Sequence, residues 1–329
     1  MRVFAAFAVI VLHVAAQNWY SQNVRSFEWN VFNFYDSIVR WAVPVFVMIS
    51  GSLFLNRDIP FKKIFTKYIF RIVTAFLFWS FVYAFAFYVK RGEKIITLLA
   101  RFISGHYHLW FLFMITGLYM LIPFMKKIAE SEFLTKYFLL LSLIFTFLLP
   151  QSVNIISTFS EKYGKFAEDI VTNFHFNFVM GLTSYFLLGY VLNKIEITRK
   201  WEKIIYFLGI CGLISTILMS VVVSIIKDEP HGIYGSTTLN VLFASIAVFV
   251  FAKKFFFKEN KYIFVLSKYS FGAYLVHDAV RMAINFCGFN SLSFNPILSV
   301  PVISIIVFVI SFLISGILNH IPILKKYIV

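Results

Sequence analysis

The sequence is short of most features that mark a soluble or secreted chain. Charged residues make up 14% of 329, where a soluble domain carries about 25%. Acidic residues number 15 against 30 basic ones, which leaves a formal charge of +15. Cysteine occurs twice, at Cys211 and Cys287, in or beside apolar runs and without metal-ligand spacing. That favours free thiols over a disulfide framework or a zinc site. No HxxxH or HExxH pairing is present, so no metal is expected. The first apolar run is followed by Gln17-Asn18-Trp19-Tyr20 rather than by small residues, so it reads as a retained helix and not a cleaved signal peptide. There is no arginine-periodic helix and no glycine-rich filter loop, which argues against a voltage sensor or a channel.

What the chain does have is apolar length. Hydrophobic residues reach 60%, and mean hydropathy is +0.83. Ten segments approach the roughly 20 residues needed to span hydrocarbon: 2–17, 36–55, 69–89, 107–125, 136–152, 174–192, 203–226, 237–256, 262–281 and 298–319. Their apolar runs are continuous rather than alternating, so helices span and strands do not. The expectation is an all-α integral membrane protein, a bundle of about ten transmembrane helices in one membrane domain, 1–329. The 43 phenylalanines fit lipid-facing bulk.

The basic residues orient this bundle. With the amino terminus placed in the cytoplasm, 18 basic residues fall inside and 9 outside, while Arg40, Arg71 and Lys268 lie within helices. The bias follows the positive-inside rule and puts both termini in the cytoplasm. Basic residues lie between apolar runs rather than along one stripe, which points to a lipid surface and away from nucleic acid. His13, His106, His108, His175, His231 and His277 then gather towards the outer end, and only His320 lies inward. Imidazoles titrate near neutral pH, so that end is a candidate for proton-transfer chemistry.

Polar residues inside the apolar segments mark the chemistry more closely. His13 is eleven helical steps beyond Arg2, about 20° past three turns, so both share one face roughly 16 Å apart. An ionisable group within a bilayer usually faces a cavity or a partner; an ordinary flanking charge and a packing histidine are the plain alternatives. Asp36 and Arg40 are four apart and can pair. Pro44 should kink the second helix, and Ser50 should return near the Asp36 face with Gly51 beside it. Ser50 and Gly51 suit either close helix packing or a polar step at the inner side. Arg71 is positioned either to snorkel to the headgroups or to hold an anion.

These features resemble the membrane acyltransferase-3 family, near its stand-alone type of enterobacterial common antigen O-acetyltransferase. The resemblance rests on Arg2 and His13 with ten residues between, on Val43-Pro44-Val45-Phe46-Val47-Met48-Ile49-Ser50-Gly51, and on Arg71. It extends to Tyr107-His108-Leu109-Trp110-Phe111 and Ser270-Phe271-Gly272-Ala273-Tyr274-Leu275-Val276-His277. One departure is that Met1 directly precedes Arg2, where the family usually has several residues. The resemblance implies O-acylation, commonly O-acetylation, of a hydroxyl on a cell-surface glycan or its lipid-linked precursor, with cytoplasmic acyl-CoA such as acetyl-CoA as donor and no bound cofactor. The setting it implies is the bacterial cytoplasmic membrane. Arg2, Ser50, Gly51 and Arg71 would serve the donor; His13, Asp36, Arg40 and His108 the chemistry; Trp110, His175 and His277 the acceptor side. Direct transfer and a covalent acyl-enzyme both remain open. A transporter or flippase of lipid-linked saccharides is the rival, though the two halves show no internal repeat.

The charge bias yields a test of topology. A single cysteine at Lys200→Cys should stay unlabelled by an impermeant thiol reagent in intact cells and react after permeabilisation, whereas labelling from outside would invert the orientation.

Overall fold

The computed structural model describes residues 1–173, 179, 181–255 and 261–329. Its elements in chain order begin with α1 (Arg2–Ala16), α2 (Phe27–Ile38), α3 (Ala42–Phe54), α4 (Phe70–Arg91), α5 (Ile95–Ser104) and α6 (Trp110–Met120). They continue with α7 (Ile122–Glu130), α8 (Glu132–Ser142), α9 (Leu149–Phe159), α10 (Glu161–Thr172), α11 (Thr183–Lys194) and α12 (Arg199–Lys227). The last are α13 (Leu239–Phe255), α14 (Lys261–Phe286), α15 (Pro296–His320) and α16 (Pro322–Tyr327). No strand occurs among the described residues, so the chain is all-α as expected. Two π-helical stretches, Ile64–Ile69 and Leu143–Leu148, join neighbouring helical segments without ending them.

Seven helical stretches among the described residues are long and apolar enough to cross a membrane. They are Arg2–Ser21, Phe27–Phe54, Phe61–Arg91, Ile95–Met120, Glu132–Phe159, Arg199–Lys227 and Pro296–His320. The expected count of about ten is therefore approximate. The expected spans 174–192 and 237–256 each run into residues outside those described. The span 262–281 lies in α14, a 26-residue helix that carries Lys268, Asp278 and Arg281.

Helix α12 shows how such a sequence behaves in lipid. Phe207, Ile210, Ile214, Leu218, Val222 and Ile225 recur every three or four residues and stand exposed. The opposite face turns Gly209, Gly212, Thr216, Ser220 and Ser224 inward. Large apolar groups outside and small or polar groups inside suit a helix whose solvent is hydrocarbon.

The chain divides into two compact units. The first comprises Met1–Asn56, Met125–Glu259 and Gly288–Ser304. Within it α3 and α11 meet backbone to backbone through two glycines. A Cβ at Gly51 would lie 1.7 Å from the Phe186 carbonyl oxygen, and one at Gly189 would lie 2.0 Å from that of Met48. Helices α12 and α13 repeat the device, since a Cβ at Gly212 would come within 2.4 Å of the Asn240 carbonyl oxygen. The Asn240 Nδ2 fills the remaining polar space, donating to Thr216 Oγ1 at 2.8 Å and to the Ile233 carbonyl at 2.9 Å.

The second unit comprises Arg57–Phe124, Asn260–Cys287 and Ile305–Val329. Here α4 is tied along its length. Thr74 Oγ1 donates to the Tyr327 carbonyl at 2.6 Å, Trp79 Nε1 to the Ile328 carbonyl at 3.2 Å, and Ser80 Oγ to the Phe102 carbonyl at 2.5 Å. Helix α14 meets α15 at Gly272, whose Cβ would lie 2.3 Å from Ser315 Oγ.

One expectation is corrected. The second span does not kink at Pro44. It breaks at residues 39–41, and Pro44 sits in the first turn of α3, where no intrahelical N–H bond is lost. Counting turns from Asp36 to Ser50 assumed an unbroken helix, so that register does not hold.

The glycine contacts give a direct test. Gly189→Val forces a side chain onto backbone and should destabilise by about 1–3 kcal/mol or more, the usual cost of overpacking. Gly117→Ala, with nothing within 4 Å of the new Cβ, should be neutral or slightly stabilising. Thermal unfolding in detergent checks both, and equal melting temperatures for Gly189→Val and the parent would contradict the contact.

Candidate active site

The residues singled out from the sequence fall into two groups, one in each unit. In the first unit, α1 is unbroken from Arg2 to Ala16. Arg2 opens it, exposed, and His13 lies in its last turn, half-buried. Both therefore keep the shared face that the spacing implied.

Asp36, in the last turn of α2, is 1% exposed. Arg40, in the following break, reaches back to it, with Nε donating to Oδ2 at 2.8 Å and Nη2 donating to the same oxygen. The predicted pair is present, and the break rather than a continuous helix presents it. The Arg40 guanidinium also lies 3.5 Å from the centroid of the Tyr234 ring, which packs on Trp19 at 5.7 Å. A cation that is paired, stacked and half-buried holds one position. The other carboxylate oxygen, Oδ1, is buried without a hydrogen-bond partner among the described residues.

Ser50 donates to the carbonyl of Phe46 at 3.0 Å, one turn back in its own helix. Gly51 is buried against Phe186, which accounts for its lack of a side chain by packing. His175 lies outside the described residues.

In the second unit the polar residues converge on a single cluster. The 3-10 turn Tyr107–Leu109 and helix α14 supply it. His108 and His277 are each 1% exposed, and their rings meet edge to face at 5.1 Å. His277 Nδ1 contacts the Tyr274 carbonyl; a carbonyl only accepts, so Nδ1 carries the proton of the neutral ring and Nε2 its lone pair. The Tyr274 hydroxyl donates to the His108 carbonyl and so ties α14 to the turn.

Five further members, Asp278, Tyr107, Arg281, His106 and Tyr83, were not among the chosen site residues. Asp278, fully buried, accepts from the Tyr107 hydroxyl at 2.8 Å and from Arg281 Nε at 2.6 Å, both on Oδ1. His106 places its Nδ1 2.8 Å from that of His108 and 3.6 Å from Asp278 Oδ2. Tyr83 stacks on the His106 ring at 4.4 Å. Its hydroxyl donates to the Leu275 carbonyl at 2.9 Å and accepts from the Ala279 N–H at 3.1 Å. Asp278 and Arg281 lie in or at the end of an apolar segment, and an intramembrane acid is the signal that would have found the cluster. Trp110 begins α6 directly after the turn that carries His108, and is 47% exposed.

Arg71, second residue of α4, donates from Nη2 to the Val329 carbonyl and lies 5.6 Å from the Phe271 ring. Its Nε is buried without a hydrogen bond among the described residues.

Two paired, buried carboxylates and a group of imidazoles within a membrane-type helical fold can accept, hold and move protons. The acyltransferase-3 family profile, described as an acyltransferase domain, matches residues 1–316. No curated protein and no solved structure matches the chain. With nearly its whole length covered by that profile and its helices built to face lipid, the chain belongs to the acyltransferase-3 family of membrane acyltransferases.

Proposed function

We propose that the protein is an O-acetyltransferase of the bacterial cytoplasmic membrane, carrying an acetyl group from cytoplasmic acetyl-CoA to a hydroxyl of a cell-surface glycan or its lipid-linked precursor. The observation that carries the reading is α1. It is one unbroken helix with a guanidinium at its exposed first turn and an imidazole half-buried in its last, on the same face. In this reading Arg2 receives the CoA phosphates, for which a guanidinium fork is well shaped. His13 takes the proton of the acceptor hydroxyl. The freed oxygen attacks the thioester carbonyl, the C–S bond breaks, and the CoA thiolate leaves and is reprotonated. The Asp36–Arg40 pair supplies fixed polar groups on the outer side of the same unit.

His13→Ala should insert and accumulate as the parent does, because losing a polar group from an apolar helix does not hinder insertion. Ester content per unit of exported glycan should fall by about 10²–10⁴-fold, the span that a positioned general base supplies. His320→Ala, an exposed residue whose Nδ1 bonds the Gly316 carbonyl of its own helix at 2.7 Å, is the control. Near-normal esterification in His13→Ala would defeat the proposed base, and loss of glycan export itself would favour the transport reading.

Arg71 is proposed as a further contact for donor phosphate. Arg71→Ala should raise the KM for acetyl-CoA several-fold in proteoliposomes, with Lys at that position rescuing in part. A variant that melts earlier but keeps its KM would show that Arg71 only anchors Val329.

A further inference from the structure

We infer that His106, His108 and Asp278 form a binding site for a divalent transition-metal ion of the zinc class. The three residues offer two imidazole nitrogens and one carboxylate oxygen, all within 4.8 Å of one another. They come from two places in the same unit, the turn at 106–108 and helix α14, which lie about 170 residues apart and are brought together by the fold.

The orientation of each donor supports a cation rather than a chance gathering. Both imidazoles turn Nδ1 inward, 2.8 Å apart. A neutral imidazole carries one proton, so two facing Nδ1 atoms either share a proton or present lone pairs to one cation. Asp278 divides its two oxygens between different tasks. Oδ1 takes the Tyr107 hydroxyl and Arg281 Nε, while Oδ2, on the His106 side, is buried with no hydrogen bond among the described residues. One oxygen held by outer donors and the other left for the ion is the arrangement that orients a ligating carboxylate. The His106 ring is itself fixed by stacking on Tyr83, whose hydroxyl is bound on both sides.

Two of the three donor separations are close to those of a tetrahedral site, and the third lies within 4.8 Å. Zinc bonds of 2.0–2.2 Å place neighbouring ligand atoms about 3.3 Å apart. The observed 2.8 Å between the imidazoles and 3.6 Å from His106 to Asp278 bracket that value. Two nitrogens and one oxygen leave a fourth position open, a ligand number that also occurs in catalytic zinc sites. Arg281 already balances the Asp278 charge, so the ion arrives at a nearly neutral site and its affinity is set by the imidazoles. Absence of an HxxxH motif does not weigh against this, because the third ligand comes from a distant helix.

The test uses the full chain, free of any histidine tag, purified in detergent. It is incubated with zinc, dialysed and measured for metal by elemental analysis; cobalt replaces zinc in a parallel sample for its visible absorption. The parent protein should retain close to one zinc per chain and give the intense bands of tetrahedral cobalt. Asp278→Asn keeps the side chain's shape and an oxygen for Tyr107 and Arg281, and should retain at least tenfold less. His106→Ala should also lose the cobalt bands, while His320→Ala should keep both signals. A parent protein with no stoichiometric zinc would overturn the site. So would equal zinc in the parent and Asp278→Asn, since the ion would then sit elsewhere. Neither outcome depends on acetyl transfer, which is measured separately.

Discussion

Hydrocarbon offers no hydrogen bonds, and this one constraint organises the protein. Backbone groups must be satisfied within helices, and each polar side chain in a span must find a partner inside the protein or leave the span. Helix α12 obeys it by turning large apolar residues outward and glycine, serine and threonine inward. The same rule explains why helices touch through glycine. Lipid tails are as apolar as leucine, so association relies on close van der Waals contact and on hydrogen bonds such as those of Asn240.

Against that background the ionisable groups kept inside stand out. Asp36 is held by Arg40 and, through it, by Tyr234; Asp278 is held by Arg281 and Tyr107. Removing one partner of such a pair leaves an uncompensated buried charge, which is strongly destabilising. Each of these pairs also leaves one carboxylate oxygen without a hydrogen bond among the described residues. A chain built only for stability would replace these pairs with apolar side chains at little cost. Their retention accords with a family whose members carry out acyl transfer in a membrane.

Much of this was legible in the sequence. Apolar run length gave the all-α membrane class, and an i,i+4 spacing gave the Asp36–Arg40 pair. The shared face of Arg2 and His13 followed from counting turns, because α1 proved unbroken. The same counting failed from Asp36 to Ser50. Periodicity says nothing about a break that needs no proline, and Pro44 drew the kink to the wrong place. For Gly51 the sequence offered packing or a polar step, and its approach to Phe186 shows the packing. The cluster around Asp278 was the hardest to foresee. His108 and His277 were visible as imidazoles near one end, but nothing local couples residue 107 to residue 278. Arg281 closed the expected span 262–281, whereas α14 runs on to Phe286 and Arg281 pairs one turn back with Asp278.

The central claim is that this chain moves an acetyl group from CoA to a hydroxyl. Its most direct test is reconstitution of the purified chain in proteoliposomes, with acetyl-labelled CoA on one side and a lipid-linked glycan acceptor in the membrane. The account predicts that each CoA thiol released is matched by one base-labile acetyl ester on the glycan. Movement of the glycan across the bilayer with neither thiol release nor ester would contradict it.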